Sequence, residues 1–376
     1  HKIASISNQN KQWLDKYFIE KVQPVLTPLA VDPSKTFPLI LNKSLNVIAK
    51  VRSKDTNESA ARLCIVQVPQ IIPRLVQLPH GNSSHEYVFL ADVISHYLEK
   101  LFPGNQIVGS WRFRVTRNSE LYVDEEDANN ILKAVENELR NRRRGDAVRL
   151  EVDIDTPEDL VSELLEKLEL SQEDLYRING PVNPIHLSGL LEGDHSPELR
   201  HDRFIPKPSP AFLSSETIFE TIKSQDVLLH HPYQSFNHVV TLLEQAAEDP
   251  KVLAIKQTLY RTGKDSRIAN ALMRAAQNGK QVAVVMELKA RFDEASNIRW
   301  AREFEEAGIH VSYGILGYKV HCKICMIVRE EDGGLNRYLH LATGNYNPAT
   351  AKLYTDFGLM TCQPDFGEDV ARVFNL

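Results

Sequence analysis

In the first half of the chain, apolar positions switch between helical and strand spacing in no fixed order. Trp13, Leu14, Tyr17, Phe18 and Val22 recur at helical spacing and predict a helix that runs into the proline-punctuated stretch Pro24–Pro28. Residues 44–51 and 64–68 predict strands, as do Arg112–Thr116 and Val148–Ile154. Phe89–Leu101 predicts a helix closed by Phe102-Pro-Gly. Asp124–Arg144 predicts a long helix. Acids open it, Ile131, Leu132, Val135 and Leu139 form its apolar stripe, Arg142–Arg144 close it, and Gly145 follows. Thr156-Pro-Glu-Asp begins another, with an N-cap, proline at the first position and acids in the first turn. This mixture predicts an α+β domain.

Residues 202–215, rich in Pro and Ser, mark the boundary. Beyond them strands and helices alternate. Val252–Thr258 is a strand, Ser266–Gln277 a helix, Gln281–Glu287 a buried strand, Ala295–Ala307 a helix and Ile309–Tyr313 a strand. Tyr318–Val328 predicts a longer strand, with a turn at Asp332-Gly-Gly and a partner at Tyr338–Ala342. That order predicts an α/β domain with a mostly parallel sheet, closed by a hairpin.

Composition narrows the class without naming it. With 376 residues, 42% hydrophobic and 25% charged, the chain is ordinary for two globular domains. Gly (17) and Pro (19) are not in the excess that marks disorder. No apolar run approaches the roughly 18 residues of a membrane span. Four cysteines (Cys64, Cys322, Cys325, Cys362) in so long a chain exclude a disulfide scaffold and point to a reducing, cytosolic compartment. The net charge of −6 speaks against a generic nucleic-acid binder, although a small basic pocket can sit in an acidic protein. Beginning at His1 without Met, the sequence reads as a piece of a longer protein.

The sharpest local signal is Tyr318-Lys-Val-His-Cys-Lys323. On a strand, His321 and Lys323 point to one face, and Val320, Cys322 and Ile324 to the other. Neutral imidazole is a good nitrogen nucleophile near pH 7, and an ammonium beside it offsets charge on an attacked phosphoryl group. A lone His-x-Lys is ordinarily a solvated sheet face; its context is what changes the reading. Tyr260-Arg261 follows one strand and Lys289-Ala-Arg291 the next, and in α/β sheets sites lie beyond the carboxyl ends of strands. Two guanidinium forks at equivalent strand ends suit one phosphate. Thr343-Gly-Asn-Tyr-Asn347 also follows a strand end and adds amide donors.

Other patterns carry less. Cys322-x-x-Cys325 has no second pair, and on a strand an offset of three puts the sulfurs on opposite faces, so no metal is expected there. His230-His231-Pro reads as capping or packing. The chain has no P-loop, no G-x-G-x-x-G and no G-x-S-x-G. The acidic runs at 124–127 and 330–332 read as solvated.

Several stretches closely resemble the bacterial polyphosphate kinase family. They are Pro24-Val-Leu-Thr-Pro-Leu-Ala-Val-Asp-Pro33, Phe113-Arg-Val-Thr-Arg117, Leu228-Leu-His-His-Pro-Tyr-Gln-Ser-Phe236, Ile255-Lys-Gln-Thr-Leu-Tyr-Arg261, Glu287-Leu-Lys-Ala-Arg-Phe-Asp-Glu294, Ala342-Thr-Gly-Asn-Tyr-Asn-Pro348 and Leu353-Tyr-Thr-Asp356. The resemblance covers nearly the whole chain. It implies reversible transfer of the terminal phosphate of ATP to inorganic polyphosphate through a phosphohistidine, in catalytic domains that resemble phospholipase D. His321 matches the phosphorylated histidine. Arg261 and Arg291 match the pair that grips Mg²⁺-bound phosphate, Tyr354 a nucleotide-contacting tyrosine, and Lys323 and Asn345 the rest of the half-site. The Asp expected five residues after the Lys in the phospholipase pattern is replaced by Val328.

The implied organisation is the tail of an N-terminal helical domain (1–20), an α+β head domain (21–213) that serves oligomerisation and walls the active-site tunnel, and a first phospholipase D-like α/β catalytic domain (214–376). The last domain, with a second His-x-Lys, is expected beyond the chain, and the fragment alone is expected to show little turnover. The partners implied are Mg²⁺ with ATP or ADP, polyphosphate, and a second copy in a dimer or tetramer. The resemblance implies no nucleic acid and a bacterial cytoplasmic location; it allows peripheral membrane association, but no span. Two rivals are a phospholipase D-like phosphodiesterase or nuclease, and a non-catalytic polyanion-binding module.

Overall fold

The structure, a computed structural model, describes residues 1–32, 36–54, 61–79, 85–118, 131–141, 145–191, 197–199, 201–202, 204–213, 216–263, 266–314 and 318–375. They form two compact units, one drawn from 1–120 and 141–201, the other from 121–140 and 202–376.

The first unit is built on a sheet of β1 (Pro28–Val31), β2 (Leu45–Ser53), β3 (Arg62–Gln67), β6 (Asn105–Arg117), β7 (Ala147–Asp153) and β8 (Leu175–Ile178), in the order β1-β3-β2-β6-β7-β8. β4 (Leu75–Gln77) and β5 (Tyr87–Phe89) form a separate pair. Alternation along the strands supplies two cores. Val47, Ala49, Cys64 and Val66 pack with Leu14, Phe18, Leu90 and Ile94, while Ile48, Ile65, Phe113, Leu150 and Val152 pack with Leu160, Val161 and Leu164 of the helix Glu158–Leu168. The α+β expectation fits this sheet. β6 is far longer than the Arg112–Thr116 expected, because its first half alternates weakly, with Gly109 and Ser110 among half-exposed positions. The helix Asn8–Tyr17, in the stretch expected to be the tail of an N-terminal helical domain (1–20), packs on this unit. Its Leu14, with Phe18 and Val22, is fully buried in this unit's core.

The second unit carries β9 (Val227–His231), β10 (Val252–Leu259), β11 (Gln281–Met286), β12 (His310–Ser312), β13 (Lys323–Glu331), β14 (Gly334–Ala342) and β15 (Asp356–Thr361), in the order β12-β11-β10-β13-β14-β15-β9. It is an α/β sheet, but the expected parallel pairing is confined to β10, β11 and β12. The other four pairings are antiparallel. The hairpin β13–β14 inserts against β10, so the sheet continues from it as a meander rather than by crossovers. One face is covered by the helices Ile218–Ser224, Asn237–Glu248 and Arg267–Gln277 around Ile255, Cys325, Ile327 and Tyr338; on the other, Met326 and Leu339 pack on Val370 of the helix Pro364–Val373.

The helix Ile131–Asn141 belongs with this second unit over residues 131–140, outside the sequence boundary expected near 213. Val135 is buried among the second unit's core residues, and Glu136 pairs with Arg302. The acids expected to open this helix, including the run at 124–127, and Arg142–Arg144 lie outside the described residues. Among the described residues no helix is long and apolar enough to cross a membrane.

Candidate active site

Because β13 runs against β10, its amino end lies at the same sheet edge as the carboxyl ends of β10 and β11. The loops carrying Tyr260-Arg261, Glu287–Arg291 and Thr343–Asn345 leave from this edge, and the strand of Lys323 begins there. The expected strand Tyr318–Val328 is shorter at its start: β13 begins at Lys323, and His321 and Cys322 precede it, exposed. His321 and Lys323 therefore do not share an open face. Lys323 is only 5% exposed, and its Nζ donates to the His321 carbonyl. Cys322 is exposed while Cys325 is buried in the core.

Two side chains hold the segment ahead of β13 in place of strand pairing. The buried carboxylate of Glu287 accepts from Val320 N–H at 3.0 Å through Oε2 and from Lys289 N–H at 2.9 Å through Oε1, joining two loops. Thr258 Oγ1 lies 2.8 Å from the Cys322 carbonyl and accepts from Ile324 N–H at 2.9 Å. Beneath them, fully buried Asn297 donates through Nδ2 to the carbonyls of Tyr260 (2.7 Å) and Glu287 (2.9 Å), tying the ends of β10 and β11 together.

Tyr260 is the hub. Its ring meets His321 edge-on at 4.9 Å between centroids. Lys323 Nζ, Lys319 Nζ and Arg261 Cζ lie 5.2, 5.5 and 5.6 Å from its centroid. An aromatic face attracts cations without neutralising them as a carboxylate would, so this cluster keeps its positive charge available to an incoming anion. Arg261 bridges onward. Its Nη2 donates to the Arg291 carbonyl at 3.4 Å and its Nε lies 3.6 Å from Asp293 Oδ2. Arg291 itself is exposed on that loop.

Asn345 follows β14, and its Oδ1 is buried without a hydrogen-bond partner. Its loop is anchored by Tyr346, whose hydroxyl lies 2.9 Å from His340 Nδ1 and donates to the His340 carbonyl at 3.1 Å. Burial holds His340 neutral, with its pKa lowered to about 3. A side chain at Gly358 would bring its Cβ within 2.6 Å of His340 Nε2, so glycine is what leaves room for the ring. Tyr354 stands 62% exposed on the loop before β15. His231 is buried, with Nδ1 2.8 Å from the Gln234 carbonyl.

Partial burial, then the charges of Lys323, Lys319 and Arg261, push His321 below the ordinary histidine pKa. Burial, reinforced by Arg261 and opposed by Cys322 and Asp356, likewise lowers Lys323. The cations disfavour imidazolium, so the nucleophilic neutral ring persists to lower pH than in a free histidine. Replacing exposed Lys319 with Gln removes one of these charges and is expected to move the acid limb of the kcat/KM–pH profile upward. A limb that stays in place or moves down would contradict this account.

No local pattern pointed to a role for Tyr260, Glu287, Asn297 or Lys319. Asn297 did leave a signal: it shares the spacing of Trp300, Ala301 and Phe304, the buried stripe of the helix Glu294–Glu306. A polar residue in such a stripe marks a buried hydrogen-bonding duty.

A histidine among clustered cations, at one end of a mixed α/β sheet, defines a centre with the chemistry to meet an anion. The sequence profile of the polyphosphate kinase middle domain matches residues 9–190, and that of the polyphosphate kinase C-terminal domain 1 matches 217–376. The polyphosphate kinase of Burkholderia multivorans is 47% identical over 380 residues, with 100% of this chain and 55% of that protein covered. That of Neisseria meningitidis serogroup B is 45% identical over 370 residues, with 98% and 54% covered. The crystal structure of polyphosphate kinase from Porphyromonas gingivalis superposes with a TM-score of 0.79 at 30% identity, covering 98% of this chain and 53% of that one. The chain belongs to the polyphosphate kinase family. It spans about half the length of the curated relatives it matches.

Proposed function

We propose that the protein containing this chain transfers the terminal phosphate of ATP reversibly to inorganic polyphosphate, through a phosphohistidine at His321. The observation that carries this reading is the neutral His321 ring held beside Lys323, Lys319 and Arg261 around Tyr260. A ring nitrogen attacks the γ-phosphorus in line. The N–P bond forms as the bond to the β,γ-bridging oxygen breaks, and ADP leaves with that oxygen. A terminal oxygen of polyphosphate then attacks the phosphohistidine, returning the electron pair to the ring.

The transition state is loose, so positioning and charge do most of the work. Lys323 and Arg261, with Arg291 from the neighbouring loop, meet the equatorial oxygens. Mg²⁺ carried by the nucleotide would supply charge neutralisation on its phosphates, and Arg261 and Arg291 would grip the metal-bound phosphate. A cationic cluster suits such a substrate, because the chain needs to contact phosphate oxygens rather than the metal. Asn345, whose buried Oδ1 lacks a partner, is assigned to orient the site, and exposed Tyr354 to meet the nucleotide. The same reading takes the enzyme to be a homo-oligomer of the bacterial cytoplasm.

Labelling tests this. With γ-labelled ATP, His321 is expected to acquire an acid-labile label, and with α-labelled ATP none. Label from the α position would favour a phospholipase D-like diesterase, and no label from either a polyanion-binding module.

A further inference from the structure

Arg74 of the first unit stands outside the ion pairs found among the described residues. It lies immediately before β4, half-buried, and its Nη1 is enclosed without a hydrogen-bond partner. Leaving a charged donor buried and unpaired is costly, and native folds seldom do so without a use for it. Burial lowers the pKa of Arg74, the direction expected for a desolvated, uncompensated cation.

Arg74 lines a small cleft of about 30 Å³ together with Asp92, Arg112, Asn183 and His186, with Phe89 among its apolar walls. The polar lining combines donors with one carboxylate, that of Asp92. Arg112 pairs with Asp92 and donates through Nε to Asp153 at 2.7 Å, so the cleft's carboxylate is already engaged. Arg114, close enough to act on His186, is paired with Glu151 at 2.7 Å. Asn183 Nδ2 lies 2.8 Å from His186 Nε2. With that nitrogen accepting, the other ring nitrogen of neutral His186 carries a proton to donate. Burial, then Arg74 and Arg114, keep His186 below the ordinary histidine pKa, which favours this neutral form. Asn183 holds a left-handed backbone (φ 65°), an uncommon conformation that the fold maintains beside the cleft. Among the described residues nothing accepts from Arg74 Nη1, since the Asp92 carboxylate of the lining is engaged by Arg112.

We propose that this cleft binds a tetrahedral phosphate oxyanion, either free phosphate or the terminal group of a phosphate chain, with Arg74 as its principal ligand. The lining comes from the first unit alone and the His321 centre from the second unit's own residues, and the proposal does not depend on the reaction assigned there.

Inorganic phosphate and tripolyphosphate, each titrated into the full-length protein, test the proposal by the rise in the unfolding midpoint of the first unit and by calorimetry. Wild type and Arg261→Ala are expected to show the rise, since a ligand bound only to the native state stabilises it. Arg74→Met is expected to bind at least ten-fold more weakly. Without anion it should unfold no earlier than wild type, because it removes an enclosed Nη1 donor that has no partner. Arg74→Lys, which keeps charge but loses the fork, should fall between them. A response to phosphate identifies the free ion as sufficient, and a response to tripolyphosphate alone identifies a chain end. The proposal is overturned by equal affinity in folded Arg74→Met and wild type, by loss of the rise in Arg261→Ala, or by no rise with either anion.

Discussion

Replacing His321 with alanine is expected to lower phosphotransfer by roughly 10³-fold or more, the scale on which loss of a nucleophile acts, with little change in stability. The two halves of that expectation rest on different observations. Chemically, among the described residues His321 is the imidazole placed beside Lys323, Lys319 and Arg261 around Tyr260, and alanine leaves only ammonium and guanidinium groups around that ring. Structurally, His321 is exposed and precedes β13, and its described side-chain contact is the edge against Tyr260, so truncation opens no core cavity. Surface changes of this kind stay within about 0.5 kcal/mol. Steady-state synthesis and the reverse reaction with ADP, measured on the full-length variant beside an unfolding curve, check both halves. Undiminished turnover by a folded His321→Ala protein would remove the phosphohistidine and favour the polyanion-binding reading.

The site was legible where chemistry and local pattern coincide, and obscure where long-range hydrogen bonds take over. β10 (Val252–Leu259) and β11 (Gln281–Met286) are short stretches rich in β-branched and apolar residues, each followed by a loop, so their ends, and hence Arg261 and Arg291, could be placed from sequence. The register of His321 could not. Its segment looks like a strand, yet Glu287 and Thr258, far away in the chain, hold its backbone in the place of a neighbouring strand. The hairpin β13–β14 was legible, but the antiparallel pairings beyond it were hidden for a related reason. β9 carries His230 and His231 where an apolar strand is expected, and it closes the sheet by pairing with β15, more than a hundred residues on. The helix Ile131–Asn141 was foreseen as a helix, but its apolar stripe does not say which core it joins. Amphipathic periodicity specifies a buried face, not its partner.

Asn297→Leu is expected to destabilise the second unit by about 2–4 kcal/mol and to weaken phosphate binding as well. Leucine nearly preserves the volume but removes the Nδ2 donor, leaving the carbonyls of Tyr260 and Glu287 unpaired in a site with no water access through Asn297, which is fully buried. Each orphaned buried carbonyl costs about 1–3 kcal/mol. Part of that is offset, because Asn297 Oδ1 is itself buried without a partner and its removal relieves the chain. The functional loss follows from which carbonyls are involved. One belongs to the hub of the cation cluster and the other to the residue whose carboxylate holds Val320 and Lys289. Releasing both lets the ends of β10 and β11 separate, and with them Arg261 and the loop of Arg291. Arg261→Ala is the control: it should raise KM for nucleotide while leaving the denaturant midpoint near wild type, since its guanidinium is partly exposed and its contact with Asp293 spans 3.6 Å. If Asn297→Leu unfolds at the wild-type midpoint, the buried amide is not what joins the two strand ends. If it is destabilised but binds phosphate normally while folded, the clamp supports the fold without setting the geometry of the site.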